Sequence, residues 1–248
     1  SQNIMDQENQ NLSQKELYDL KRREKERETE TSHRKSSTKR ILIWLVVLFG
    51  LGGAIFGMVK LAGNAPSNST GPVDAVSATD WATGNKDGKV ILIEYGDFQC
   101  PACGFYFPIV KKLTEDYQDK LAFVYRNFPL QQHANARPAA YAAEAAGKQG
   151  KYWEMYDLLF GNQSQWSDAP NTKEIFTNYA KSLNLNLEQF TNEAGSNAIK
   201  DRVDNDYQSG IRAGVNSTPT FFLNGKQIKP TNYDEFRNLI EQAIKANP

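Results

Sequence analysis

Two cysteines are the only thiols in this 248-residue chain, and they stand together as Cys100-Pro101-Ala102-Cys103. A thiol at a helix start faces unpaired backbone N–H groups and the positive end of the helix dipole. Both stabilise its thiolate and lower its pKa. Pro101 suits the first turn of a helix, so Cys100 stands where that field is strongest and Cys103 lies one turn further in. The spacing predicts dithiol–disulfide exchange, in which Cys100 is the nucleophile and Cys103 resolves the mixed disulfide and releases the partner. Other uses of the pair fit less well. A structural disulfide closing so short a loop contributes only ~2 kcal/mol. Zinc needs two further ligands, and the only histidines are His33 and His133. We therefore expect neither a metal nor a cofactor.

Two further positions carry chemistry. Glu94 lies within the apolar run VILIEYGDF just ahead of the cysteines. A carboxylate buried there is costly unless partnered or functional, and burial raises its pKa. It is either a proton acceptor or field source for Cys103, or an edge residue that reaches solvent. Thr218-Pro219 precedes TFFLNG. Proline cannot donate to a central ladder, so at a strand mouth it marks a special turn, with a cis peptide or an ordinary trans bond. Such a turn leaves the Thr218 backbone free to pair with a bound peptide. His133 and Arg126 are candidate neighbours of the thiols, with structural roles expected. Tyr152, Trp153, Tyr156 and Phe160 share one helix face, where core packing is the default and a peptide groove the alternative.

Positioning these groups requires an α/β scaffold. Val90 to Phe98 reads as a strand buried on both faces, and it runs straight into a helix from Pro101 whose Phe105, Ile109 and Leu113 recur at helical spacing. Leu121 to Tyr125 is the next strand, which implies a parallel strand–helix–strand unit. A helical region follows over about 138–213. Thr220 to Leu223, the turn Asn224-Gly225 and Lys226 to Ile228 form a hairpin. A last helix spans Asp234 to Ala246, with Asn232 and Glu235 spaced as a capping box.

The 29 basic and 29 acidic residues balance, so bulk charge gives no reason to bind nucleic acid. From Ile41 to Val59 the chain is apolar and uncharged for ~19 residues, enough for a helix to span a bilayer core. A cleavable signal peptide is the competing reading, but its apolar core is shorter and nearer the start. Arg34, Lys35, Lys39 and Arg40 precede the run, so the positive-inside rule puts the N-terminus in the cytoplasm and the rest outside. The expected division is a polar cytoplasmic tail at 1–40, a transmembrane anchor at 41–62, a flexible linker at 63–79 and a folded domain at 80–248. The protein is expected in the cell membrane as a single-pass monomer.

The segments YGDFQCPAC, RNFPL with His133 following, GKYWEMYDLLF and VNSTPTFFLNG, together with Pro108, resemble the DsbA family of thiol:disulfide oxidoreductases, especially its membrane-anchored members. The resemblance covers roughly Ala75 to Ala246. It implies a thioredoxin fold with an inserted helical domain. By that resemblance Cys100 is the surface nucleophile, Cys103 the resolving thiol, Glu94 the buried acid below them, and Pro219 a cis-proline preceded by Thr218. It further implies reduced exported proteins as substrates, and a quinone-linked membrane oxidase of the DsbB or vitamin K epoxide reductase type as partner. Ala102 stands where the family's best-known dipeptide has a histidine, which removes one source of thiolate stabilisation. Net oxidation of substrates is the main expectation. A reductase or isomerase with the same centre, and a redox-inactive membrane-tethered binding or chaperone domain, are the alternatives.

Overall fold

A computed structural model describes residues 22–23 and 71–247 of the chain. Residues 1–67 and 68–248 form two separate units, and the architecture below is that of the second. The anchor expected at 41–62, and most of the tail and linker around it, lie outside the described residues. Among the described residues no helix is long and apolar enough to cross a membrane.

Five strands form one sheet in the order β1-β3-β2-β4-β5. They are β1 (Trp81–Gly84), β2 (Val90–Gly96), β3 (Leu121–Asn127), β4 (Thr220–Leu223) and β5 (Lys226–Ile228). β2 and β3 are parallel and the other pairs antiparallel, as a crossover helix between β2 and β3 requires. That helix is α1 (Pro101–Asp116). Six helices then intervene before β4: α2 (Ala136–Gly147), α3 (Tyr152–Gly161), α4 (Gln163–Trp166), α5 (Thr172–Ser182), α6 (Leu187–Gly195) and α7 (Asn197–Arg212). α8 (Tyr233–Ala246) closes the chain. This is a thioredoxin-like α/β fold with a helical insertion, in agreement with the sequence.

One face of the sheet packs against α1, α8 and the insertion through Leu92, Phe123, Leu113, Phe236 and the alanines of α2. Those alanines let α2 sit deep, with Ala139, Ala143, Ala145 and Ala146 fully buried. The opposite face buries Ile93, Tyr95, Val124 and Phe222 beneath Phe128, Ala213 and Val215. Residues 71–80 run beside this second layer, held by Arg126. Its guanidinium forms a two-point pair with Asp80 (2.9 and 3.0 Å), donates to Tyr95 Oη and reaches the carbonyls of Asp74 and Ala75. Arg126 is thus a structural cation, and part of the expected linker is tied to the domain.

Three local features depart from the sequence reading. β1 was not anticipated, because WATG is short and shows no apolar alternation. Its Gly84 has φ +76°, and a Cβ there would lie 2.2 Å from the Leu121 carbonyl oxygen, so only glycine fits. On α1 the buried positions are Cys103, Val110 and Leu113, whereas Phe105 is 61% exposed. The apolar stripe therefore starts at the second thiol rather than at Phe105. At α8 Asn232 accepts from Glu235 N (3.0 Å) as expected, yet the Glu235 carboxylate reaches back to Thr231 N instead of Asn232 N. The hairpin turn is as read, with Asn224 and Gly225 both at positive φ.

Candidate active site

β2 ends at Gly96, and the chain turns through Asp97–Gln99 to place Cys100 as the N-cap of α1, with Pro101 in the first turn. Cys100 N donates to Asp97 O (3.0 Å) and Gly104 N to Cys100 O (3.1 Å), so the turn leads directly into the helix. Both cysteines are free thiols. Cys100 Sγ lies 3.4 Å from the carbonyl oxygen of Thr218, whose peptide bond to Pro219 is cis. Cys103 Sγ lies 3.4 Å from Asp97 N, which donates to it. The nucleophile expected at the surface is recessed, since Cys100 is only 6% exposed and Cys103 is buried beneath it.

The two sulfurs are electrically unlike. Cys100 is brought down to about 5, foremost by a hydrogen bond from Cys103. Burial opposes this, while the Thr218 side chain and the backbone N–H groups of Cys103 and Ala102 assist. The amides are those of the helix start, the source of field inferred from the sequence. Cys103 is driven well above the ordinary thiol range, first by burial, then by its hydrogen bond to Cys100 and by the charge of Glu94. The lowering influence on it is the Asp97 N–H.

Glu94 belongs to β2, between β3 and β4, paired with Tyr125 and Phe221. It is 1% exposed, and Oε2 has no hydrogen-bond partner among the described residues. The solvent-reaching edge position is thereby ruled out. Burial, and secondarily the Cys100 charge, lift its carboxyl to about 8. Near neutral pH it therefore holds a proton, within electrostatic reach of both sulfurs. Cys100, Cys103, Glu94, Thr218 and Pro219 thus converge on one end of the sheet.

Four polar side chains join them, of which the sequence reading named only His133, with a structural role expected. Asp97 is fully buried, and its carboxylate accepts from Gln99 N (2.7 Å) and Leu130 N (2.9 Å) and pairs with His133 Nδ1 (2.7 Å). Gln163, the first residue of α4, donates to Phe98 O (2.7 Å) and Cys100 O (3.0 Å). Gln99 reaches the Ser167 carbonyl and accepts from Asn135 N. The insertion therefore grips the turn that carries the thiols. Its aromatic residues act as core: Phe98 packs at 5.7 Å from Tyr156 and 4.9 Å from Phe160, between ring centroids.

Comparison with known proteins agrees with this fold. A Thioredoxin family profile, Thioredoxin_4, matches residues 76–242. Oxidised BdbD from Bacillus subtilis is 26% identical, with a TM-score of 0.61 over 71% of this chain and 97% of that one. α-DsbA1 of Wolbachia pipientis, 22% identical, shares the fold with a TM-score of 0.60 over 69% of this chain and 94% of its own. Among curated relatives, the Na(+)/H(+) antiporter NhaA 1 of Mycobacterium sp. (strain KMS) is 36% identical over 199 residues. The match takes in 76% of this chain and 31% of the antiporter. The chain thus spans about a third of that relative's length.

Proposed function

The chain belongs to the thioredoxin family, as a DsbA-like thioredoxin-fold protein, and from this we propose that it is a thiol:disulfide oxidoreductase that introduces disulfide bonds into exported proteins. The observation that carries the reading is the unequal thiol pair: Cys100 is stabilised as a thiolate at the helix start, and Cys103 is buried under it. An enzyme whose reduced form is stabilised in this way gives up its disulfide readily.

In this mechanism a substrate thiolate attacks Cys100 Sγ of the oxidised centre, the Cys100–Cys103 bond breaks, and Cys103 leaves as a thiolate that takes a proton from Glu94. A second substrate thiolate then attacks the substrate sulfur of the mixed disulfide and expels Cys100 as its stable thiolate. The substrate loses two electrons, and the enzyme gains them as two reduced sulfurs. The Thr218 carbonyl beside Cys100 offers an acceptor to the backbone of an extended substrate. A quinone-linked membrane oxidase of the DsbB or vitamin K epoxide reductase type re-forms the disulfide.

We place the domain outside the cytoplasm, on an anchor at 41–62. The charge asymmetry around the apolar run supports this. Equilibration with glutathione buffers, followed by alkylation and mass spectrometry, tests the direction of exchange. A potential well above the ~−270 mV of thioredoxin is expected. A value near thioredoxin's overturns the oxidase reading in favour of a reductase, the direction that Ala102 favours. Cys100→Ser should abolish oxidation of a reduced, unfolded protein. A membrane-impermeant thiol reagent applied to intact cells should label Cys100 if the domain lies outside.

A further inference from the structure

Leaving-group chemistry at Cys103 poses a problem that the helix start does not solve. The field of α1 acts on Cys100, through the amides of Ala102 and Cys103. Cys103 lies inside the helix, 1% exposed, next to Glu94. When the Cys100–Cys103 bond breaks, negative charge appears on a sulfur whose burial disfavours it. A donor aimed at that sulfur is then worth more than it would be in water.

Asp97 supplies the donor. Its N–H points at Cys103 Sγ (3.4 Å) and its carbonyl accepts from Cys100 N (3.0 Å), so its peptide groups touch both halves of the centre. A turn residue following a strand has no ladder to hold its amide in place. The side chain does so instead, with none of it exposed, through Gln99 N, Leu130 N and His133 Nδ1. Leu130 and His133 belong to the segment between β3 and α2, distant in sequence from the turn. Burying a carboxylate this completely is expensive unless it is fully hydrogen-bonded, and here every contact it makes fixes the orientation of one amide.

We propose that Asp97, braced by His133, is a positioning residue for the exchange reaction, aiming its backbone N–H as the donor that receives the thiolate of Cys103 when the disulfide opens. The inference rests on the oxidoreductase reading and adds two residues to it. In the balanced step, substrate thiolate and the Cys100–Cys103 disulfide become a substrate–Cys100 disulfide and a Cys103 thiolate. Asp97 donates a hydrogen bond to that thiolate and transfers no proton. The titratable groups facing Cys103 are Glu94, Cys100, Tyr125 and Tyr156; in this step Cys100 is held in the mixed disulfide and Glu94 enters protonated, so burial is what opposes the new charge.

His133 gives the cleaner test, because it is 20% exposed and its replacement leaves the core intact. His133→Ala removes the brace. His133→Asn keeps an N–H near the position of Nδ1. Two readouts are taken on the full chain: the rate at which the oxidised protein forms a mixed disulfide with a reduced dithiol peptide, and the pH midpoint of Cys103 alkylation by iodoacetamide in a Cys100→Ser background. His133→Ala is expected to slow mixed-disulfide formation about tenfold and to raise the Cys103 midpoint by about one pH unit, which is the same factor. His133→Asn should recover most of both, and Asp97→Ala should exceed His133→Ala wherever it folds. An unchanged Cys103 midpoint in His133→Ala, or Ala and Asn variants equally impaired, overturns the proposal. Should the parent protein fail to oxidise the peptide, the oxidoreductase reading fails, and the alkylation midpoint still decides the role of Asp97.

Discussion

Glu94 illustrates how one side chain can oppose the fold that holds it. Its carboxyl is lifted from 4.5 to about 8, chiefly by burial. A raised folded-state pKa means that its favourable contribution is complete below about pH 4.5 and is lost as pH rises through about 8. Glu94→Gln keeps the shape and removes that loss. The variant should therefore gain stability over the parent progressively between pH 5 and 8, at about 1.4 kcal/mol per unit, while cycling more slowly for want of a proton store. Urea unfolding at both ends of the range, with turnover measured alongside, checks this; a stability difference that does not grow with pH would sink it. The chemistry of this residue was readable from the sequence, because an acid in an unbroken apolar strand is anomalous by itself. So were the cysteine pair and Thr218-Pro219, each a local pattern. Asp97 and Gln163 gave no such signal, and His133 was singled out only as a possible neighbour of the thiols. Their contacts join positions 36 and 63 residues apart, and a polar residue in a turn or short helix looks the same whether it braces a catalytic sulfur or faces water.

Elements show the same division. Strands and helices with a continuous or periodic apolar pattern were legible, and the insertion appeared where expected. β1 was not, since its pairing with β3 depends on Gly84 fitting under Leu121 rather than on any repeat of its own. Phe105 repeats at helical spacing with Ile109 and Leu113, yet the chain rotates α1 to bury Cys103 instead. Spacing defines a stripe but not which edge of it meets the core. The contact between α4 and the turn yields a prediction at this scale. Gln163→Ala removes two hydrogen bonds from the carbonyls of Phe98 and Cys100, costing ~1–3 kcal/mol in all. Hydrogen exchange of the amides of Cys100 and Ala102–Gly104 should accelerate while β2 and β3 remain protected. Equal acceleration across the sheet would instead mean that α4 serves overall stability alone. Gly104→Ala should act in the same direction, because its Cβ would lie 2.5 Å from Gln163 Oε1.

For the molecule as a whole, redox state and stability are linked through Cys100. Its folded-state pKa of about 5 lies below the ordinary 9.0, so thiolate stabilisation is fully present above pH 9 and is lost as pH falls through about 5. The disulfide form lacks it entirely. The melting temperature of the reduced protein should thus rise relative to that of the oxidised protein from pH 5 upward, at ~2–4 °C per kcal/mol for a domain of this size. Melting both forms at pH 4, 6 and 8 checks this, and a constant gap would mean that Cys100 is not the linked group. The segment at 71–80 carries a consequence of another kind. Gly71 N is bonded to Arg212 O, Asp74 pairs with Arg212, and Arg126 grips the carbonyls of Asp74 and Ala75. Tension on the chain ahead of Gly71 enters at the last residue of α7 and at a strand beside the core, rather than unravelling β1. From Arg212 the covalent path runs through Ala213–Ser217 to Thr218, so the chain entering the domain is fastened to the helix that leads into the loop facing Cys100.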